Sequence, residues 1–280
     1  MCEDCGCSEG NERKYFNKEH GHEHPHPYDH EHEHDHAHPH EHSHVHEDGT
    51  EHTHSHEDHK HGHTPSRTVE IQQKVLAMND EFAARNKAYF SERGITVVNM
   101  ISSPGSGKTM LLEKTLDMLQ GKLKCAVIVG DQQTDNDAKR LQGKGAKVIQ
   151  IETQSACHLN AKQIATALPE VIEDDTKLLF IENVGNLVCP AAFELGENFK
   201  IALLSVTEGE DKPIKYPVLF SDAQIVLLTK TDLIPHLDWD MKKCRQFLRQ
   251  IKPGVFIFEL SAKSGDGMTE WINYLTGLVE

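Results

Sequence analysis

No run of 18 apolar residues occurs in this 280-residue sequence, so no membrane-spanning helix is expected. The opening MCEDCGCSEG has neither a basic nor an apolar region, which argues against a secretory signal. Basic charge is scarce: 29 Lys and Arg stand against 44 Asp and Glu, a formal net charge of −15. Nucleic-acid binding needs a basic face that neutralises phosphates, so no nucleic-acid partner is expected. Large apolar residues are almost missing from residues 1–63. Such a segment cannot bury enough surface to offset its ordering entropy, and it is expected to be disordered without metal. It also holds 16 of the acidic residues against 4 basic ones, which leaves the remainder close to neutral. The cysteine count is odd, at seven. In a chain expected to be cytoplasmic, clustered thiols read as metal ligands before disulfides.

What residues 1–63 do contain is metal-binding chemistry. Residues 1–19 carry Cys2-x-x-Cys5-Gly6-Cys7. Three thiolates at this spacing can close on one ion without a folded scaffold, and the α-amine of Cys2 joins them if Met1 is removed. Square-planar N/S ligation suits Ni²⁺, and tetrahedral closure suits Zn²⁺. Residues 20–63 hold 19 of the 21 histidines. His22, His24, His26, His30, His32, His34, His36, His38, His40, His42, His44, His46, His52, His54 and His56 are candidate storage ligands. Neutral imidazoles among carboxylates make many exchangeable sites for divalent metal. The plainer alternatives are a redox-active cysteine cluster and a solubilising low-complexity tail.

From Ser66 the pattern changes. Val75, Met78, Phe82, Tyr89 and Phe90 recur near helical spacing, and Gly94 is a plausible stop, so residues 64–94 read as amphipathic helix packing on the domain formed by residues 95–280. That domain alternates short β-branched runs (ITVVNMI, CAVIV, KVIQI, KLLFI, KIALLSV, AQIVLLT, VFIFEL) with helical stretches. The alternation predicts an α/β fold, a mostly parallel sheet covered by helices on both faces.

SSPGSGKT lies between the first of these runs and a helical stretch. Backbone N–H groups of such a turn cradle phosphates at a helix N-terminus. Ser103, Pro104, Gly105, Ser106, Gly107 and Met110 are candidate nucleotide contacts. Lys108 would reach the β/γ phosphates, and the Thr109 hydroxyl would bind Mg²⁺. Ser102 stands where the strict P-loop pattern has Gly. Asp131 and Glu182 end two further strands, and ligand groups gather at the carboxyl ends of such strands. Both are candidates for Mg²⁺ binding or for positioning the attacking water. No arginine finger is obvious in the sequence, so turnover should be slow. TKTDL resembles the guanine-reading Asn-Lys-x-Asp motif, with Thr229 in place of Asn. Lys230 would lie along the base plane, and Asp232 would accept from the guanine ring N–H and 2-amino group. Ser261, Ala262 and Lys263 form a second guanine loop. GTP is therefore expected over ATP.

Cys157 and His158 follow one strand, and Cys189 lies seven residues beyond Glu182. Adjacent helical residues point apart, so Cys157 and His158 can share an ion only from a loop. The alternative is two buried cysteines and a capping histidine. Cys125 and Cys244 read as core, and His236 as a loop residue.

Taken together, MCEDCGC, the histidine run, NKAYFSERG, SSPGSGKT, GDQQTDNDAKRL, SACHL, ENVGNLVCP, TKTDL and SAKSGDGM resemble the HypB family of hydrogenase maturation GTPases. The resemblance spans nearly the whole chain. It implies a P-loop NTPase of the class that includes the signal-recognition and nitrogenase-iron-type proteins, working through a GTP-dependent homodimer. It implies tight nickel binding at Cys2, Cys5 and Cys7. A weaker nickel or zinc site would lie at Cys157, His158 and Cys189 near the dimer interface. The implied partners are a zinc-containing accessory protein of the HypA type and the [NiFe]-hydrogenase large-subunit precursor. Two other readings are a nickel or zinc storage protein with an idle GTPase, and a urease-type or cobalamin-related P-loop metallochaperone. The urease relatives usually carry Cys-Pro-His, where this sequence has ACHL and VCPA.

Overall fold

The computed structural model describes residues 41–45, 51–55, 67–131, 136–153 and 156–279, with side chains from residue 73 onward. Cys2, Cys5, Cys7, His22 through His40, His46 and His56 therefore lie outside the described residues. Within the histidine-rich segment, expected to lack regular structure, two strands are described. They are β1 (Glu41–Val45) and β2 (Glu51–Ser55), paired antiparallel with His42 opposite His54 and His44 opposite His52. Strict alternation with Ser, Thr and Val suits a strand, and Asp48-Gly49 between them is a turn-forming pair.

The second unit is built on seven parallel strands. They are β3 (Thr96–Ser102), β4 (Cys125–Asp131), β5 (Ala146–Glu152), β6 (Leu178–Glu182), β7 (Phe199–Ser205), β8 (Ile225–Thr229) and β9 (Phe256–Glu259). Their spatial order is β5-β4-β6-β3-β7-β8-β9. Each apolar run named above supplies one strand. β6 and β8 are buried at every position, and β3, β4 and β7 at all but one. That is the signature of a parallel sheet with both faces covered. On one face pack α2 (Lys108–Leu119) and α9 (Met268–Gly277), through Leu112, Leu116, Trp271 and Leu275. On the other pack α1 (Arg67–Arg93) and α4 (Ala161–Val171), through Phe90, Ile164 and Leu168. α7 (Pro217–Asp222) and α8 (Met241–Ile251) close a third cluster that includes Cys244.

α1 is a single helix ended by Gly94 at φ +61°. Its contact face differs from the apolar pattern. Val75 and Met78 are exposed, whereas Asn79, Ala83, Asn86 and Phe90 are buried. Asn86 donates to the carbonyls of Ala161 and Leu195, and Asn79 accepts from the Ala161 amide while donating to Glu194 O. These amides satisfy backbone groups at the first residue of α4 and in the irregular chain at Glu194 and Leu195, which apolar side chains at the same positions would strand. No helix among the described residues is long and apolar enough to cross a membrane.

Candidate nucleotide and metal site

β3 ends at Ser102, and α2 begins at Lys108. Between them Gly105 and Gly107 have φ of +74° and +94°, the left-handed region that a side chain disfavours. No side chain caps the start of α2, so its first N–H groups are free to meet a phosphate. Ser102 is fully buried. Its hydroxyl accepts from Lys108 Nζ at 2.7 Å and from Ser106 Oγ at 2.5 Å. The residue that replaces glycine thus holds the lysine of the phosphate loop. Burial lowers the Lys108 pKa from its ordinary value, because desolvation disfavours the ammonium.

A cavity of about 600 Å³ opens over this turn. Pro104 through Met110 line it, together with Asp131, Cys157, Glu182 and the segment Asn183–Asn186. A side chain at Gly185 would come within 3.0 Å of Pro104 Cα, so glycine allows the chain after β6 to lie against the phosphate loop. Thr109 Oγ1 donates to Glu182 Oε1 at 2.7 Å, and Glu182 Oε2 is buried without a partner. Burial pushes the Glu182 carboxyl up to about 7. A hydroxyl, an orphaned carboxylate oxygen and the half-buried Asp131 form a hard oxygen set that fits Mg²⁺.

Asp137 and Arg140 line the same cavity from α3 (Asn136–Leu141). Sequence reasoning passed over both. They lie in GDQQTDNDAKRL, but their value depends on α3 folding back beside α2, where Arg140 pairs with Glu113 at 2.9 Å. The 3.6-residue period of α3 was the available signal: Ala138 and Leu141 face the core, which leaves 137 and 140 together on another face.

A second cavity, about 180 Å³, lies on the β8–β9 side of the turn, lined by Lys230, Asp232, Ser261, Ala262 and Lys263. Ser261 Oγ donates to Asp232 Oδ1 at 2.6 Å. Thr229 Oγ1 donates to Ser106 O at 2.8 Å in a buried bond. The threonine that stands in for asparagine therefore still ties this loop to the phosphate loop. Lys230, with φ +60°, donates to Gly105 O at 2.6 Å. Ser103 lies beneath the turn, accepting at its carbonyl from the Ser106 amide.

Cys157 and His158 sit in the irregular chain between β5 and α4, and Cys189 begins α5 (Cys189–Ala192). Their ligand atoms lie within 4.8 Å of one another, with Cys157 Sγ to His158 Nδ1 at 3.6 Å. Ligands of one tetrahedral ion stand about 3.5 Å apart, so small adjustments would close this trio. The His158 ring packs on Phe193 with centroids 3.9 Å apart. Burial lowers its pKa, favouring the neutral form that ligates. Cys125 and Cys244 are buried, with thiols pushed up to about 12 by burial. His236 ends a short 3₁₀ turn, Thr231–His236.

Residues 96–259 match the family CobW/HypB/UreG, nucleotide-binding domain. The hydrogenase maturation factor HypB of Azotobacter vinelandii is 46% identical over 279 residues, 98% of this chain and 91% of its own. That of Escherichia coli (strain K12) is 51% identical over 214 residues, 76% of this chain and 74% of its own. Among solved structures, HypB from Helicobacter pylori in complex with nickel aligns at a TM-score of 0.69 and 38% identity. The alignment covers 72% of this chain and 95% of that one. With a P-loop in the expected strand–turn–helix setting and this degree of likeness over most of both chains, the protein belongs to the HypB family of hydrogenase maturation factors.

Proposed function

We propose that this chain is a GTP-hydrolysing nickel metallochaperone, cytoplasmic, that stores nickel on residues 1–63. It hands the metal to the [NiFe]-hydrogenase large-subunit precursor with a zinc-containing accessory protein of the HypA type. The observation that carries this reading is that Cys157 lines the same cavity as Lys108, Thr109 and Glu182 while belonging to the Cys157–His158–Cys189 trio. Nucleotide state and metal ligation therefore share a wall. The H. pylori relative solved with nickel supports nickel as cargo.

In this mechanism the amides of Gly105 through Thr109 and the Lys108 ammonium bind the phosphates. Asp232 accepts from guanine, with Lys230 and the loop Ser261–Lys263 framing the base. Thr109, Asp131 and Glu182 would hold Mg²⁺, which when bound neutralises charge on the β- and γ-phosphates. Asp131 or Glu182 orients the attacking water. Three protein ligands leave a four-coordinate ion one short, so two chains could share metal across a GTP-dependent homodimer. Zinc competes for the same thiolate-rich trio.

The test uses the chain with nickel, measuring its affinity in the presence of GDP and of a non-hydrolysable GTP analogue. Linkage makes any change reciprocal, typically about 5–150-fold. Equal nickel affinities in both states, with hydrogenase activity undiminished by Lys108→Ala at limiting nickel, would leave storage as the function instead.

A further inference from the structure

We propose that Arg140 is a catalytic residue supplied by the chain itself, whose guanidinium leaves Glu113 and binds the terminal phosphate of the nucleoside triphosphate. The proposal rests on the nucleotide-hydrolysis reading above and goes beyond it. Neither the P-loop motif nor the guanine loops assign this residue a role.

The direction of the bound nucleotide is set by the sheet. β3 carries the phosphate loop. The smaller cavity lies on its β7-β8-β9 side and the larger one on its β6-β4 side. A nucleotide with its base against Asp232 must run its phosphates across the loop. Its last phosphate then ends among Asp131, Asp137, Glu182 and Arg140. A triphosphate is most negative at that end. Among the described residues, that end of the wall holds the carboxylates of Asp131, Asp137 and Glu182 and the cations Lys108, already placed on the loop, and Arg140. Lys230 is engaged with Gly105 O on the base side. Hydrolysis concentrates charge on the terminal and bridging oxygens. Preorganised positive groups aimed there provide the largest single contribution to phosphoryl transfer.

Arg140 is well placed to move. Its side chain is 48% exposed, and its Nη2 donates to Glu113 Oε2. An exposed ion pair of this kind contributes only about 0–1 kcal/mol. Glu113 has a second cation, since Lys144 lies 3.2 Å from its other oxygen and 3.1 Å from Asp117. When Arg140 leaves, Lys144 keeps the carboxylate paired. Meanwhile α3 stays fixed, because Ala138 and Leu141 are buried in the core. The swing therefore requires side-chain rotation alone. A guanidinium can grip two phosphate oxygens at once, a geometry that an ammonium cannot reproduce.

The reaction balances without any further reactant. The water oxygen forms a bond to the terminal phosphorus. The bond from phosphorus to the β–γ bridging oxygen breaks, and its electron pair stays on the departing GDP. The proton lost by water ends on the inorganic phosphate. Arg140 gives no proton; it stabilises the charge that builds on the oxygens.

The experiment compares full-length Arg140→Ala, Arg140→Lys and Glu113→Gln with the parent. Turnover of GTP is measured at saturating Mg²⁺-GTP. Affinities for GDP and for a non-hydrolysable GTP analogue are measured by calorimetry. Arg140→Ala should lower kcat by at least about 10²-fold, and Arg140→Lys should recover little of it. Affinity for the analogue should fall relative to GDP, which has no terminal phosphate. Added guanidinium ion should restore part of the Arg140→Ala turnover. Glu113→Gln frees the arginine without removing it and should keep parental turnover or exceed it. A kcat for Arg140→Ala within about threefold of the parent would overturn the proposal. So would equal losses in Arg140→Ala and Glu113→Gln, which would mark the pair as structural. If the parent hydrolyses no GTP, the functional reading fails, yet the analogue-to-GDP affinity ratio still decides on Arg140. A ratio unchanged by Arg140→Ala would overturn the phosphate contact; a lowered ratio would sustain it.

Discussion

On the β8–β9 side of the phosphate loop, the groups expected to read the base are already held by the protein. Thr229 is bonded to Ser106 O, Lys230 to Gly105 O, and Asp232 receives the Ser261 hydroxyl. On the β4–β6 side the opposite holds. Glu182 is buried with one oxygen unpartnered, Lys108 is desolvated onto a serine hydroxyl, and the Cys157–His158–Cys189 ligand atoms lie within 4.8 Å of one another. A preorganised side loses little freedom on binding and so favours recognition. A side with uncompensated buried groups is completed only by its ligand, and small changes there should alter chemistry most.

That contrast can be broken most directly at Glu182. Glu182→Gln should lower GTP hydrolysis by roughly 10²–10³-fold, the scale for losing one charge-stabilising group. It should also stabilise the ligand-free chain at alkaline pH. Burial places the folded carboxyl at about 7 against an ordinary 4.5. The folded state then binds the extra proton, so this group's contribution is fully present below the ordinary value and is lost as pH rises through about 7. The loss is on the order of 3 kcal/mol and absent in the glutamine variant. Denaturant curves near pH ~5 and pH ~8 test this; identical pH dependence in both proteins would mean that the carboxylate is compensated.

Asp232→Asn probes the preorganised side. GTP affinity should fall by about 10²-fold, because two hydrogen bonds to a charged acceptor are lost. The amide can donate to a 2-oxo group, so xanthosine triphosphate should now bind better than GTP. Calorimetry with both nucleotides decides, and a retained guanine preference would show that recognition lies elsewhere in the loop.

Cys189→Ala should weaken metal binding at the candidate Cys157–His158–Cys189 trio by at least about 10–100-fold, the scale seen when merely an outer partner of a metal ligand is removed. GDP affinity should stay at the parental value. Competition with a chromophoric chelator reads the metal affinity, and an unchanged value would make the trio structural.

The smallest effect is expected at Thr229→Val, which keeps shape and removes the hydroxyl. Ser106 O then loses a buried partner, at about 1–3 kcal/mol. Guanine nucleotides should bind roughly threefold to tenfold more weakly with kcat little changed. A kcat loss as large as that of Glu182→Gln would erase the distinction between the two sides.

The amino-acid sequence by itself determined a good deal. Seven β-branched runs became seven parallel strands, because a strand covered on both faces must be apolar along its whole length. The phosphate loop was legible because its parts are contiguous, and a turn needs its glycines in place locally. Asp232 and Ser261 were legible because each belongs to a short motif at the end of a strand. Only the tertiary structure decided what distant segments do to one another. Nothing in the sequence order says that Ser102 holds Lys108, that Thr229 reaches Ser106 across more than a hundred residues, or that Asn79 and Asn86 dock α1 where Val75 and Met78 do not. The same is true of Asp137 and Arg140, which reach the nucleotide cavity because α3 packs beside α2, and of Cys157 and Cys189, which meet because the chain after β5 crosses the end of β4, where Leu159 lies against Gly130 and donates its amide to Asn183 beyond β6. Local patterns record backbone geometry and burial, which act over a few residues. Pairings between loop carbonyls, buried charges and candidate metal ligands arise only once the parallel crossovers bring the carboxyl ends of the strands to one edge.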